Sequence, residues 1–161
     1  MLKILYELKP FFEDTYREIS VREYARESKV SPPTASKRLT EFQKEGLVIL
    51  YKKGIYHYYR ANRETYLFLQ LTRLYWYSAL HHLAENLYSN IAYRRIILFG
   101  SLTKAENTKK SDVDLFLDID ERKIDTSLLK KALNRTIELH FASSMKNEQL
   151  KKNIEQGIVI R

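Results

Sequence analysis

Two carboxylates two residues apart, Asp112 and Asp114, stand in a stretch that otherwise reads as a buried strand, Ser111-Asp112-Val113-Asp114-Leu115-Phe116-Leu117. In an extended chain, side chains two apart leave the same face. Asp112 and Asp114 are therefore expected side by side, with Val113, Leu115 and Leu117 involved in packing. Neighbouring carboxylates repel unless a cation sits between them, and Mg²⁺, which prefers hard oxygen ligands, is the usual one. Upstream, the apolar run Ile96-Ile97-Leu98-Phe99 stops at Gly100-Ser101. A glycine lets the backbone come close to a ligand. A serine at a helix N-terminus offers a hydroxyl and an N–H to phosphate. A phosphate cradle beside a cation-binding carboxylate pair is the equipment of phosphoryl or nucleotidyl transfer.

The order is Leu98-Phe99-Gly100-Ser101, ten residues ending in Ser111, then Asp112-Val113-Asp114-Leu115. It resembles the polymerase-β-type nucleotidyltransferase superfamily, in particular its minimal nucleotidyltransferase branch. The resemblance runs from about Leu74 to the C-terminus. One departure is Ala105, four residues after the serine, where the family often has glycine. The resemblance implies that Asp112 and Asp114 hold Mg²⁺, as one ion or two. It implies that Gly100 and Ser101 bind the triphosphate of ATP or another nucleoside triphosphate, with Lys104, Lys109 or Lys110 as helpers. The superfamily carries a third carboxylate on a following strand. The alternating stretch Thr136-Ile137-Glu138-Leu139-His140-Phe141 offers Glu138, as a metal ligand or a proton acceptor. His140 shares that face and is read as packing. The implied reaction is transfer of AMP from ATP to a hydroxyl. Minimal relatives pair with small helical HEPN proteins, so a HEPN-type protein partner carrying that hydroxyl is also implied.

These residues need elements to position them. Ser127–Asn134 reads as a helix between the second and third strands, and Leu150–Ile160 as a closing helix and apolar tail broken at Gly157. From Glu64 to about Ser89 there is no Gly or Pro, and leucines recur at helical spacing among Phe68, Tyr75, Trp76 and Tyr77. That apolar surface is too wide for a lone exposed helix. It is expected against both domains, or in a homodimer contact. Asn62 is read as its cap, and His81 and His82 as packing or solvent-facing.

The N-terminal third reads differently. Leu2, Leu5, Tyr6, Phe11 and Phe12 suggest a first helix bent near Pro10. Ser20-Val21-Arg22-Glu23 fits a capping box opening a helix over Val21–Ser28. Ser31 caps a second helix with Pro32 at its first position, running to about Lys44 and closed by Gly46. Leu47–Tyr51 and Ile55–Arg60 flank Lys52-Lys53-Gly54 as a hairpin. This succession resembles the winged helix-turn-helix domains of prokaryotic regulators. The resemblance implies duplex DNA binding, with Thr34, Ser36, Lys37 and Arg38 in the major groove and Lys52 and Lys53 on phosphates. The charge agrees. Residues 29–60 hold seven Lys or Arg against Glu41 and Glu45, a net +5, within a chain of net +8.

At 161 residues and 44% hydrophobic content, the chain can bury a core. It has no cysteine, which excludes a disulfide framework and a cysteine zinc site. No apolar run approaches membrane-spanning length, and a cytoplasmic protein is expected. The expected fold is α+β: a winged helix-turn-helix over residues 1–62 and an α/β nucleotidyltransferase domain with a mixed sheet over 63–161, with 63–73 as linker within a long helix. Three readings stay open. The first is a nucleotidyltransferase that also binds DNA. The second is a DNA-binding transcriptional regulator whose nucleotidyltransferase domain senses nucleotide or is inactive. The third is a protein-interaction module.

Overall fold

The computed structural model describes residues 2–88 and 95–161. The chain divides into two compact units, Met1–Thr72 with Ala105–Lys109, and Arg73–Lys104 with Lys110–Arg161. The expected end of the long helix at Ser89, and the expectations on the side chains of His82 and of Leu87, the last of its recurring leucines, lie outside the described residues.

In the first unit, α1 (Lys3–Glu7) and α2 (Lys9–Glu13) meet at Leu8. Pro10, in the first turn of α2, has no N–H to give a continuous helix. The capping box forms as the sequence dictates. The Ser20 hydroxyl accepts from the Glu23 N–H, and the Glu23 carboxylate accepts from the Ser20 N–H at 2.8 Å, opening α3 (Val21–Glu27). Ser31 likewise accepts the Thr34 N–H to open α4 (Pro32–Lys44). Gly46, with φ +71°, ends the helical path in the left-handed region. Three antiparallel strands follow the order β1-β3-β2: β1 (Ile19–Ser20), β2 (Val48–Lys53) and β3 (Tyr56–Ala61). The hairpin turn is therefore Gly54-Ile55, tighter than the sequence suggested, and Lys52 and Lys53 are strand residues paired with His57 and Tyr56. Asn62 does not cap the next helix. Its amide donates to the Gly46 carbonyl at 2.8 Å, and α5 (Tyr66–Tyr88) begins after Thr65. Aromatic packing fills the core, with Phe12 against Phe68 at 5.3 Å and Phe11 against Tyr24 at 6.2 Å between ring centres.

The second unit is a four-stranded mixed sheet in the order β6-β5-β4-β7, made of β4 (Ile96–Phe99), β5 (Val113–Leu117), β6 (Ile137–Phe141) and β7 (Ile158–Val159). β4 runs antiparallel to β5 and β7, whereas β5 and β6 are parallel. A parallel pair needs a crossover, supplied by α6 (Ser127–Leu133). One sheet face packs Ile97, Phe99 and Phe116 against Ile154 of α7 (Glu148–Glu155). This is why Phe116 is buried although it alternates in phase with the aspartates. The same packing fixes Gly157, where a Cβ would come 2.5 Å from both the Ile97 side chain and the Leu98 carbonyl oxygen. No helix among the described residues is long and apolar enough to cross a membrane.

Candidate active site

Strand register brings the candidate residues together. Phe99, the last residue of β4, is opposite Asp114, and Asp114 is opposite Glu138 on β6. Cross-strand partners share a face, so the end of β4 and the two carboxylates converge. Gly100 follows with φ +78°, a conformation that favours glycine. Its missing side chain is also required by space. A Cβ there would fall 2.2 Å from Asp114 Oδ2. The Asp114 carboxylate thus lies directly against the Gly100 backbone. Asp112 lies just before β5 and is half-buried.

Ser101 opens a 3-10 turn, Ser101–Lys104, in place of the α-helix start the sequence suggested. The Thr103 N–H and hydroxyl both return to the Gly100 carbonyl, at 3.2 and 2.9 Å, which closes the chain after one short turn. The Lys104 ammonium donates to Asn153 Oδ1 of α7 at 3.0 Å. Lys109 falls in the first unit, where its N–H donates to Asp14 Oδ2 at 3.2 Å. Lys110 is exposed.

Asp114 is the electrostatic centre of the group. Burial raises its carboxyl above the usual range, opposed by His140, and the charges of Glu138 and Asp112 raise it further. His140 Nε2 lies 3.8 Å from Asp114 Oδ1, beyond hydrogen-bond length. One ligand atom from each of Asp114, Glu138 and His140 falls within 4.8 Å of the other two. Asp112 is not in this tightest group. Two carboxylates and an imidazole at that spacing fit a divalent cation, whose charge would favour the ionised Asp114 that burial, and then the neighbouring carboxylates, disfavour.

Two positions escaped the sequence reading. Arg135 is buried, with its guanidinium 5.1 Å from the Trp76 ring centre, and donates to the Ser111 carbonyl at 2.5 Å. It thereby holds the residue that precedes Asp112. Arg73 of α5 donates to the Gly157 carbonyl at 2.9 Å and to those of Gln156 and Thr103. Both arginines bond to main-chain carbonyls, which carry no side-chain signature.

The expected DNA contacts separate into two classes. Thr34, Ser36 and Lys37 on α4 and Lys52 on β2 are exposed. Arg38 is half-buried in an ion pair with Glu7 at 3.1 Å. Lys53 pairs with Glu18 and lies 5.8 Å from the ring centres of Tyr51 and Tyr58.

The family described as "Polymerase beta, Nucleotidyltransferase" matches residues 81–161, which include the Gly100-Ser101 turn and all three carboxylates. The chain belongs to the polymerase β nucleotidyltransferase family. A relative in Methanocaldococcus jannaschii, named "Putative protein adenylyltransferase", is 30% identical over 74 residues, covering 41% of this chain and 74% of the relative. No solved structure matches. The mixed sheet of the second unit is thus that of a nucleotidyltransferase-type domain, and a chain of this family is built around nucleotidyl transfer.

Proposed function

We propose that the protein is a metal-dependent nucleotidyltransferase that moves AMP from ATP onto a hydroxyl, and that its first unit is a winged helix-turn-helix that binds duplex DNA. The observation that carries the first half is the seating of Asp114. Its carboxylate is pressed against the Gly100 backbone on one side and paired in register with Glu138 on the other. In the reaction, the acceptor oxygen bonds to the α-phosphorus. The bond from that phosphorus to the oxygen leading to the β-phosphate breaks, and pyrophosphate leaves with the electron pair. The acceptor proton passes to Glu138 or to water. Asp112, Asp114 and Glu138 would hold a divalent cation, Mg²⁺ in the simplest case, and bound there it would supply positive charge against the phosphates. The Gly100-Ser101 backbone and Lys104 orient the triphosphate. The name of the Methanocaldococcus relative favours a protein as the acceptor. A HEPN-type partner is the acceptor protein we propose.

Support for the second half lies in α3, α4 and the β2–β3 hairpin, with exposed Thr34, Ser36, Lys37 and Lys52 in a segment of net charge +5. Transfer is tested with the full chain, α-phosphate-labelled ATP and Mg²⁺, reading pyrophosphate release and labelled acceptor. Asp112→Asn and Asp114→Asn are each expected to lower the rate at least about 100-fold with folding intact. ATP binding without release of pyrophosphate would favour a nucleotide-sensing regulator. A chain that binds neither cation nor ATP at millimolar concentration would end the enzyme reading.

A further inference from the structure

Carboxylates alone carry the proposed transfer, which leaves His140 without a task. Its Nε2 is buried and makes no hydrogen bond among the described residues, yet it faces Asp114 Oδ1 at 3.8 Å. The ring is held in that orientation. It packs T-shaped against the Phe99 ring at 5.0 Å between centres, and its backbone pairs with Phe116 in the parallel β5–β6 ladder. A packing histidine would have its nitrogens satisfied or in water. Here one nitrogen is aimed at a carboxylate and stops short of it.

We infer that His140 Nε2 is a ligand to the same cation as Asp114 and Glu138, making this a mixed nitrogen–oxygen site that favours a first-row transition ion over Mg²⁺. The inference rests on the proposed transfer site being a cation site. The three ligand atoms lie within 4.8 Å of one another, so small side-chain movements bring all three onto one ion. Mg²⁺ holds oxygen ligands at near-ideal octahedral geometry and keeps its waters, whereas imidazole suits transition ions. An imidazole in the set therefore shifts selectivity away from Mg²⁺ without removing the carboxylates.

Mn²⁺ is the probe, added to the full chain without nucleotide. Electron spin-echo modulation of the bound Mn²⁺ is expected to show nitrogen coupling, read on the unmodified protein. His140→Gln is expected to abolish that coupling. It should also lower the ratio of Mn²⁺ to Mg²⁺ affinity, measured by calorimetry, at least about tenfold. His140→Asn serves as a second substitution should the first destabilise the sheet. Bound Mn²⁺ with no nitrogen coupling overturns the inference, as does coupling that persists in His140→Gln, which would come from His57, His81 or His82. If in either case Asp114→Asn abolishes Mn²⁺ binding, the cation site stands without His140, and so does the transfer reading. If neither ion binds at millimolar concentration, the transfer reading and this inference fall together.

Discussion

At the scale of single residues, Asp114 concentrates the cost of the site. Burial and the neighbouring carboxylates raise its carboxyl from the ordinary range. A carboxyl raised on folding binds its proton more tightly in the folded state than in the unfolded one. Stability is therefore lost as pH rises through the unfolded value, and the loss is complete above the folded one. Asp114→Asn removes that penalty. In chelator at neutral pH the variant is expected to melt at a higher temperature than the wild type, and the difference should vanish below the ordinary carboxylate range. Thermal unfolding at several pH values checks this. A variant that melts lower at neutral pH would mean that the Asp114 contacts with Gly100 and His140 outweigh the crowding. That Asp112 and Asp114 share a face was legible in the sequence because side chains alternate with a period of two, whereas Glu138 came from the resemblance and its register opposite Asp114 from the structure. His140 was legible only as sharing their face. Its unsatisfied nitrogen depends on Phe99 and on the β6 edge, and neither is a local property.

At the scale of elements, what sequence reveals depends on length and local chemistry. The capping box, the Ser31 cap and the Gly46 stop are local devices and form as read. β1 was not legible, since two residues cannot declare a strand and Ile19-Ser20 is extended only by pairing with β3. The turn after Ser101 shows the reverse, a departure visible in sequence whose meaning needed geometry. Ala105 is buried and has φ +55°, in the left-handed region that favours glycine. That conformation costs an L-residue roughly 1–2 kcal/mol. Ala105→Gly recovers it, but loses about 0.8 kcal/mol of methyl burial and gains freedom in the unfolded chain. The terms nearly cancel, so the substitution is expected to change stability by less than about 1 kcal/mol. Ala35→Gly, equally buried but inside α4 of the same unit, should cost about 2 kcal/mol from helix propensity plus burial. Urea midpoints of the two variants decide it. Equal losses would mean that the Ala105 methyl is needed where it stands.

At the scale of the whole molecule, charge is the property most easily read from sequence and most altered by structure. The chain carries +8, and residues 29–60 alone carry +5. Sequence alone would send Lys37, Arg38, Lys52 and Lys53 to phosphate together. Instead Arg38 is engaged with Glu7 and Lys53 with Glu18, whereas Lys37 and Lys52 are exposed and face no acidic partner among the described residues. Every phosphate that the protein ceases to neutralise lowers the slope of log K against log salt by about 0.9 for duplex DNA. For the full chain, replacing Lys37 and Lys52 together with Ala is therefore expected to flatten the slope by about two units. Arg38→Ala should leave the slope nearly unchanged and lower the melting temperature, because half-buried Glu7 then keeps, among the described residues, Lys3 at 3.8 Å as its cation. Fluorescence anisotropy on a labelled duplex across a salt series reads the slopes, and thermal unfolding reads the stability. If the double replacement leaves the slope unchanged, α4 and the hairpin do not meet phosphate, and the first unit docks on something other than DNA. If Arg38→Ala flattens it by a full unit, the Glu7 pair opens on binding and the arginine reaches the backbone.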